Sequence, residues 1–162
     1  MAIFTSFNIS ASGMTAQQLR TDVIAENIAN ADTTRTSTGR PYVKKNVVFT
    51  EKTLTGTYLG KKGSVYSGYS SFADALRMAN GGVVGNGVKV TRIYEDTNQD
   101  MNIVYDPNHP DADENGYVTY PNVNVVQEMT DLIDASRTYE ANISAFNAAK
   151  AMAQKGLTIG EQ

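Results

Sequence analysis

Residues 124–157 read NVVQEMTDLIDASRTYEANISAFNAAKAMAQKGL, and the spacing of apolar residues in this stretch sets the fold class. Met129, Leu132, Ser136, Tyr139, Ile143, Phe146, Lys150, Ala153 and Leu157 alternate steps of three and four, and seven of the nine are apolar or aromatic. A stripe with that period lies along one side of a helix and forms a coiled-coil seam. Asn124 is a good N-cap with Gln127 three residues on, because a short polar side chain there can accept from amides that lack a helical partner. Glu128, Asp131 and Asp134 sit early and Lys150 and Lys155 late, an order that complements the helix dipole. Gly156 and Gly160 are expected to end the helix.

The other end of the chain has the same grammar. Phe4, Phe7, Ala11, Met14, Gln18, Thr21, Ala25 and Ile28 also alternate three and four, and six of the eight are apolar. A second stripe of Ile9, Ala16, Leu19 and Val23 widens the apolar face beyond what one partner helix covers. The helix starts near Phe4 or, if Thr15 and Gln18 form a capping box, near Ser12. Asn30 to Gly39, with its Asp, Thr and Ser residues, reads as a stop. An isolated helix of this length is marginal in water, so both seams need partners. They can satisfy each other as an antiparallel hairpin, or they can order only when neighbouring subunits supply the contacts.

About ninety residues of different character separate the helices. Tyr42–Thr50 and Val88–Tyr94 are rich in Val and Tyr and read as strands, with shorter candidates at Met101–Tyr105 and Tyr117–Tyr120. Thr53–Ser71 is rich in Gly, Tyr, Ser and Thr and reads as loop or mobile hairpin. Ser71–Ala79 is expected to form one short helix, capped by Ser71 and stopped by Asn80-Gly81-Gly82. The expected fold is therefore α+β. Residues 1–32 and 122–162 form one discontinuous helical domain, an antiparallel, coiled-coil-like pair. Residues 33–121 form a β-rich insert, with a mobile Gly/Tyr/Ser-rich stretch near 54–85.

Bulk properties exclude several classes. The net charge of −3 and pI near 5.1 argue against nucleic acid as the main partner, since phosphate binding needs a basic excess. The balance conceals an asymmetry: ten Lys or Arg against two acids from Thr33 to Arg92, then eleven acids against one Arg from Ile93 to Glu140. These charges either neutralise each other within the fold or meet between neighbouring subunits. Absence of cysteine rules out disulfides and thiolate metal sites. The N-terminal segment lacks the basic and apolar regions of a secretory signal, and no stretch approaches the roughly 20 apolar residues of a membrane span. On those grounds the expectation is a cytoplasmic protein, unless it leaves the cell by a route that uses no such signal.

No constellation of side chains suggests catalysis. His109 is the sole histidine and sits in a turn between Asn108 and Pro110, with no nucleophile or second carboxylate marked beside it. The glycine run at 81–87 lacks the Lys-Ser/Thr of a phosphate loop. Asp111-Ala112-Asp113-Glu114-Asn115-Gly116 copies the first half of an EF-hand loop. Its twelfth position, however, is Asn122 rather than the bidentate glutamate that calcium needs, so a polar turn is expected. No catalytic, cofactor-binding or metal site is assigned.

Two segments carry a resemblance. Residues 12–34, SGMTAQQLRTDVIAENIANADTT, resemble the N-terminal signature of the flagellar rod and hook (axial) protein family, above all in Asn27-Ile28-Ala29-Asn30 followed by Thr33 and Thr34. Residues 105–160 are similar to the family's proximal-rod members in Asp106-Pro107, His109-Pro110, Gly116-Tyr117-Val118, Pro121-Asn122-Val123, Ser136-Arg137 and Tyr139-Glu140-Ala141-Asn142. Pro41-Tyr42 and Val47-Val48-Phe49 also match. Glu26 departs from the usual uncharged polar residue, and residues 54–85 have no counterpart that the resemblance places. It implies a structural subunit of the proximal rod, without cofactors, that self-assembles and passes torque from rotor to hook for motility. It further implies export through the flagellum's own type III apparatus without a cleaved signal, and a place in the cell envelope. Its neighbours would be the other proximal and distal rod proteins and the adaptor to the membrane ring. The implied packing residues are Phe4, Phe7, Met14, Leu19, Val23 and Ile28 on the first helix, with Asn27 and Asn30 as polar contacts that set register. On the last helix they are Met129, Leu132, Tyr139, Ile143, Phe146 and Leu157. A secreted adhesin or effector would share the seams and the missing signal but not these motifs; an enzyme would need a polar site that the chain lacks.

Overall fold

The computed structural model describes residues 2–52, 87–97 and 99–160. The first helix, α1, spans Ala2–Ala29, and the last, α2, spans Val125–Gly160. Between them lie β1 (Lys45–Glu51), β2 (Val88–Glu95), β3 (Asn102–Tyr105) and β4 (Tyr117–Tyr120). The α+β expectation holds: two long terminal helices bracket a small insert of antiparallel strands. The expected loop at 53–71 and short helix at 71–79 lie outside the described residues.

The start of α1 falls before both expected positions. Thr15 does not cap; its hydroxyl donates to the carbonyl of Ala11 at 3.0 Å, inside the helix. At the other end, the Asn30 amide nitrogen and side chain both donate to the Glu26 carbonyl, and Thr33 Oγ1 donates to Asn30 Oδ1 at 3.2 Å. The free carbonyls of the helix end are met by the amides of Ala31 and Thr33, which donate to Ile28 and Asn30. In α2, Asn124 Oδ1 accepts from the amides of Val126 and Gln127, as its N-cap role requires. Gly156 does not end α2, which continues to Gly160. One helical glycine costs about 1 kcal/mol, too little to stop a helix already long and cooperatively propagating.

The helices pack antiparallel. Phe7 stacks at a tilt on Phe146 with ring centroids 4.9 Å apart, Arg20 pairs with Asp131 at 3.1 Å, and Asn27 bonds Glu128 at 3.0 Å. Between these points Gly13 lies against Asn142, so close that a Cβ on Gly13 would sit 2.7 Å from Asn142 Oδ1. The seam is built from Gly13, Ala16, Arg20, Val23 and Asn27 on α1 and from Glu128, Asp131, Ala135, Asn142, Phe146 and Ala149 on α2. Ala16, Val23, Ala135 and Ala149 are buried. Small residues let the two backbones approach. With Phe7 opposite Phe146, α2 has no α1 residue facing it from Met152 onward.

β1 and β2 pair antiparallel, with Thr91 as the extra residue of a bulge between the Val48–Arg92 and Phe49–Val90 pairs. β3 and β4 form a separate antiparallel ribbon. The strand expected from Tyr42 begins only at Lys45. Tyr42 is buried, its amide donates to Thr33 and its hydroxyl to Asn27, so the chain there serves α1 rather than the sheet. Gly116, at φ +79°, turns the chain into β4; a side chain there would also meet the Tyr105 ring at 2.9 Å.

Candidate assembly surface and its polar joint

The helix pair and the insert meet at Asn27, which is 1% exposed and uses its whole amide. Nδ2 donates to the Lys45 carbonyl (2.9 Å) and to Glu128 Oε2 (3.0 Å). Oδ1 accepts from the Lys45 amide and the Tyr42 hydroxyl, each at 2.9 Å. Two donors and two acceptor directions are all that an Asn amide has. Its capacity is therefore spent within the chain, on α1, the approach to β1 and α2 at once. Glu128, equally buried, faces the Lys44 ammonium across 2.6 Å from Oε1, a charge pair whose direction falls outside hydrogen-bond geometry. Burial, then the nearby charges of Glu26, Glu128 and Glu95, push the Tyr42 hydroxyl up to about 12 from its ordinary 10.0. Glu26, the departure from the family pattern, pairs with Lys45 Nζ.

Asn122 ties the same region from the other side. Its Oδ1 accepts from the Lys44 amide (2.9 Å), and its Nδ2 donates to the Asp96 carbonyl (2.8 Å). The segment before α2 is thus stitched to the end of the sheet where β1 begins and β2 finishes. The Asp111–Gly116 segment is a folded turn. Asp111 accepts from Thr34 Oγ1 at 2.8 Å and faces Arg35, and the Gly116 amide donates to Asp113. His109 Nδ1 accepts from the Asp111 amide, and its ring packs near Tyr120. Among the described residues no group of three His, Asp or Glu could hold a metal ion. A cleft of about 410 Å³ lies between α1, β1 and the start of α2, with Arg20, Phe49, Tyr94 and Asp131 among its walls. Arg20 and Asp131 pair within it, Lys45 and Glu128 pair with Glu26 and Lys44 beside it, and its lining holds no nucleophile beside a base.

The expected packing residues fall into three groups. Val23 and Asn27 are buried in the helix–helix seam. Phe7 and Phe146 meet across the seam and are half-buried, as are Met14, Leu19, Ile28, Asn30, Leu132 and Tyr139. Met129, Ile143 and Leu157 are exposed, the last at 71%. The Phe4 side chain lies outside the described set. Val126 (75% exposed), Met129 (53%) and Ile133 (55%) form an apolar patch on the side of α2 opposite the seam. Met152, Leu157 and Ile159 are exposed on the stretch that α1 does not reach. Among the described residues no helix is long and apolar enough to cross a membrane.

Comparison with known proteins matches these elements. The family description "Flagella basal body rod protein" fits residues 7–35, and "Flagellar basal body rod FlgEFG protein C-terminal" fits residues 114–159. The flagellar basal-body rod protein FlgC of Bacillus subtilis (strain 168) is 44% identical over 167 residues, covering 99% of this chain and 100% of its own length. This chain belongs to the FlgC family of flagellar basal-body rod proteins. FlgC of Borreliella burgdorferi is 41% identical, with 98% of each chain covered, and FlgC of Salmonella typhimurium is 37% identical, with 99% and 100% covered. The family is structural: the chain is a rod component of the flagellar basal body and not an enzyme. Coverage this complete places residues 54–85, for which the motifs offered no counterpart, inside the alignment with FlgC.

Sequence reasoning named Asn27 but missed its partners Tyr42, Lys45 and Glu128, and the clip at Asn122. A signal for Glu128 was present: Glu128, Ala135, Asn142 and Ala149 recur every seven residues. That heptad was hidden because its members are small or polar.

Proposed function

We propose that this FlgC-family chain polymerises through its terminal helices in the proximal rod, where packed helices carry torque from the rotor to the distal rod and hook. On this reading flagellum-dependent motility needs the chain. Residues 1–32 and 122–162 act as one discontinuous helical unit and 33–121 as its insert. The chain reaches the rod through the flagellar type III export apparatus without a cleaved signal. There it meets copies of itself, other proximal and distal rod proteins and the adaptor to the membrane ring. The observation that carries the proposal is the surplus apolar surface of α2: Val126, Met129 and Ile133 on its outer face and Met152, Leu157 and Ile159 beyond α1. Contiguous exposed apolar side chains mark an interaction surface.

The test is mass spectrometry of purified hook–basal bodies from the source organism, alongside motility of a strain lacking the gene. Stoichiometric presence together with loss of swimming supports the proposal. Absence from preparations in which other rod proteins are found would sink it and favour a secreted effector.

A further inference from the structure

The outer faces of the two β units carry opposite, unspent charge. Val47 and Phe49 share a cleft with Val23 and Ile24 of α1, which Tyr94 also reaches, and the pairing register turns Lys89 and Arg92 to the sheet's other face. Lys89 and Arg92 are exposed, with Arg92 lying 5.2 Å over the Tyr94 ring. Neither has an acid within ion-pair distance among the described residues, where the pairs are Arg20–Asp131, Arg35–Asp111, Lys44–Glu128 and Lys45–Glu26. On the β3–β4 ribbon, Val118 faces inward at 0% exposure. Ile103, Tyr105 and Tyr117 share the opposite face and stand 64%, 63% and 46% exposed. Asp113 and Glu114, in the turn leading into β4, are exposed and pair with no cation among the described residues.

We propose that the Ile103/Tyr105/Tyr117 face, with Asp113 and Glu114 at its rim, docks on the Lys89/Arg92 face of a second copy of this chain. This inference rests on the assembly reading above and names one of its contacts. Charge complementarity selects the occupant: each patch carries the sign that the other lacks, beside aromatic rings that stack on guanidinium groups. Arg and Tyr are the residues most enriched where interfaces hold their energy. Because the two patches differ, the contact is head-to-tail, the kind that propagates into a ring or helix rather than closing as a two-fold dimer. That is the geometry a rod of repeating subunits needs. The two charge blocks of the sequence thus divide their work: Arg35 and Lys44 pair with Asp111 and Glu128 within the chain, whereas Lys89, Arg92, Asp113 and Glu114 stand exposed.

The chain has no cysteine, which permits a direct test. Cells co-express Thr91→Cys and an epitope-tagged Thr119→Cys, and their hook–basal bodies are treated with a short bismaleimide. A covalent dimer of the two variants, absent when either is expressed alone, supports the contact. Immunoblotting that finds the chain in the basal body but no dimer overturns the contact and leaves the assembly reading standing. Absence of the chain from the basal body overturns the assembly reading and this inference with it. Charge exchange gives a second measure. Lys89→Glu with Arg92→Glu, or Asp113→Lys with Glu114→Lys, shrinks the swimming halo, and all four together restore it. Failure of the combined variant to recover, with circular dichroism showing it folded, overturns pairing between copies.

Discussion

At the scale of single residues, Asn27 decides how the helices meet the insert. Asn27→Ala leaves the Lys45 amide and the Tyr42 hydroxyl without an acceptor and Glu128 Oε2 without a donor, all in a buried site. The expected loss is about 2–3 kcal/mol, read as a lower urea midpoint. Tyr42 adds a pH dependence with a definite sign. Its folded pKa of about 12 lies above the ordinary 10.0, so its contribution is fully present below pH 10 and drains away as pH rises from 10 toward 12. Tyr42→Phe costs about 1 kcal/mol near pH 8. Urea titrations at pH 8 and pH 11 should find the gap between wild type and variant closing at the higher value. Asn27 itself was legible, because a lone amide amid apolar positions in a helix stands out. Its partners were not, since Tyr42 looked like the first residue of a strand and Glu128 like a dipole-complementing surface acid. Only tertiary structure brings residues a hundred positions apart within 3.0 Å.

Among elements, the helix–helix seam shows what periodicity reveals and what it hides. Both helices and all four strands were legible, with ends off by a few residues, because length and alternation are local properties. The face by which the helices meet was harder to see. Large apolar residues dominate any reading of a stripe, yet Gly13, Ala16 and Ala135 form the line of closest approach, and Met129 and Ile133 point away. Substitution at Gly13 separates packing from helix propensity. Gly13→Ala gains about 1 kcal/mol of propensity and needs only the flexible end of Asn142 to move, so its melting temperature should stay close to wild type. Gly13→Leu must displace the whole Asn142 side chain from the helix–helix seam, and thermal unfolding should report a loss of about 2 kcal/mol or more. Equal melting temperatures for Leu and Ala would show that the helices do not approach this closely.

For the molecule as a whole, stability is concentrated at one end of the helix pair. The Asn27, Tyr42, Lys44 and Glu128 contacts hold the helices beside the insert, whereas among the described residues the far end shows Phe7 against Phe146 with Ala149 buried, followed by a stretch of α2 with no α1 opposite. The free subunit should therefore show less helix by circular dichroism than segments of 28 and 36 residues require. Amide exchange should be slow at residues 16–29 and 125–139 and fast at 5–12 and 150–159. Uniform slow exchange along both helices would contradict this gradient. The closing of Phe7 on Phe146 also has a consequence in time. Those residues stand near opposite ends of the chain, and a ribosome adding about 5–20 residues per second leaves the first helix without its mate for roughly ten seconds. No short loop can substitute, because every contact that buries the seam joins the first residues made to the last. Until α2 is free as far as Phe146, the seam cannot close, and the chain stays slack enough to be passed lengthwise through a narrow opening.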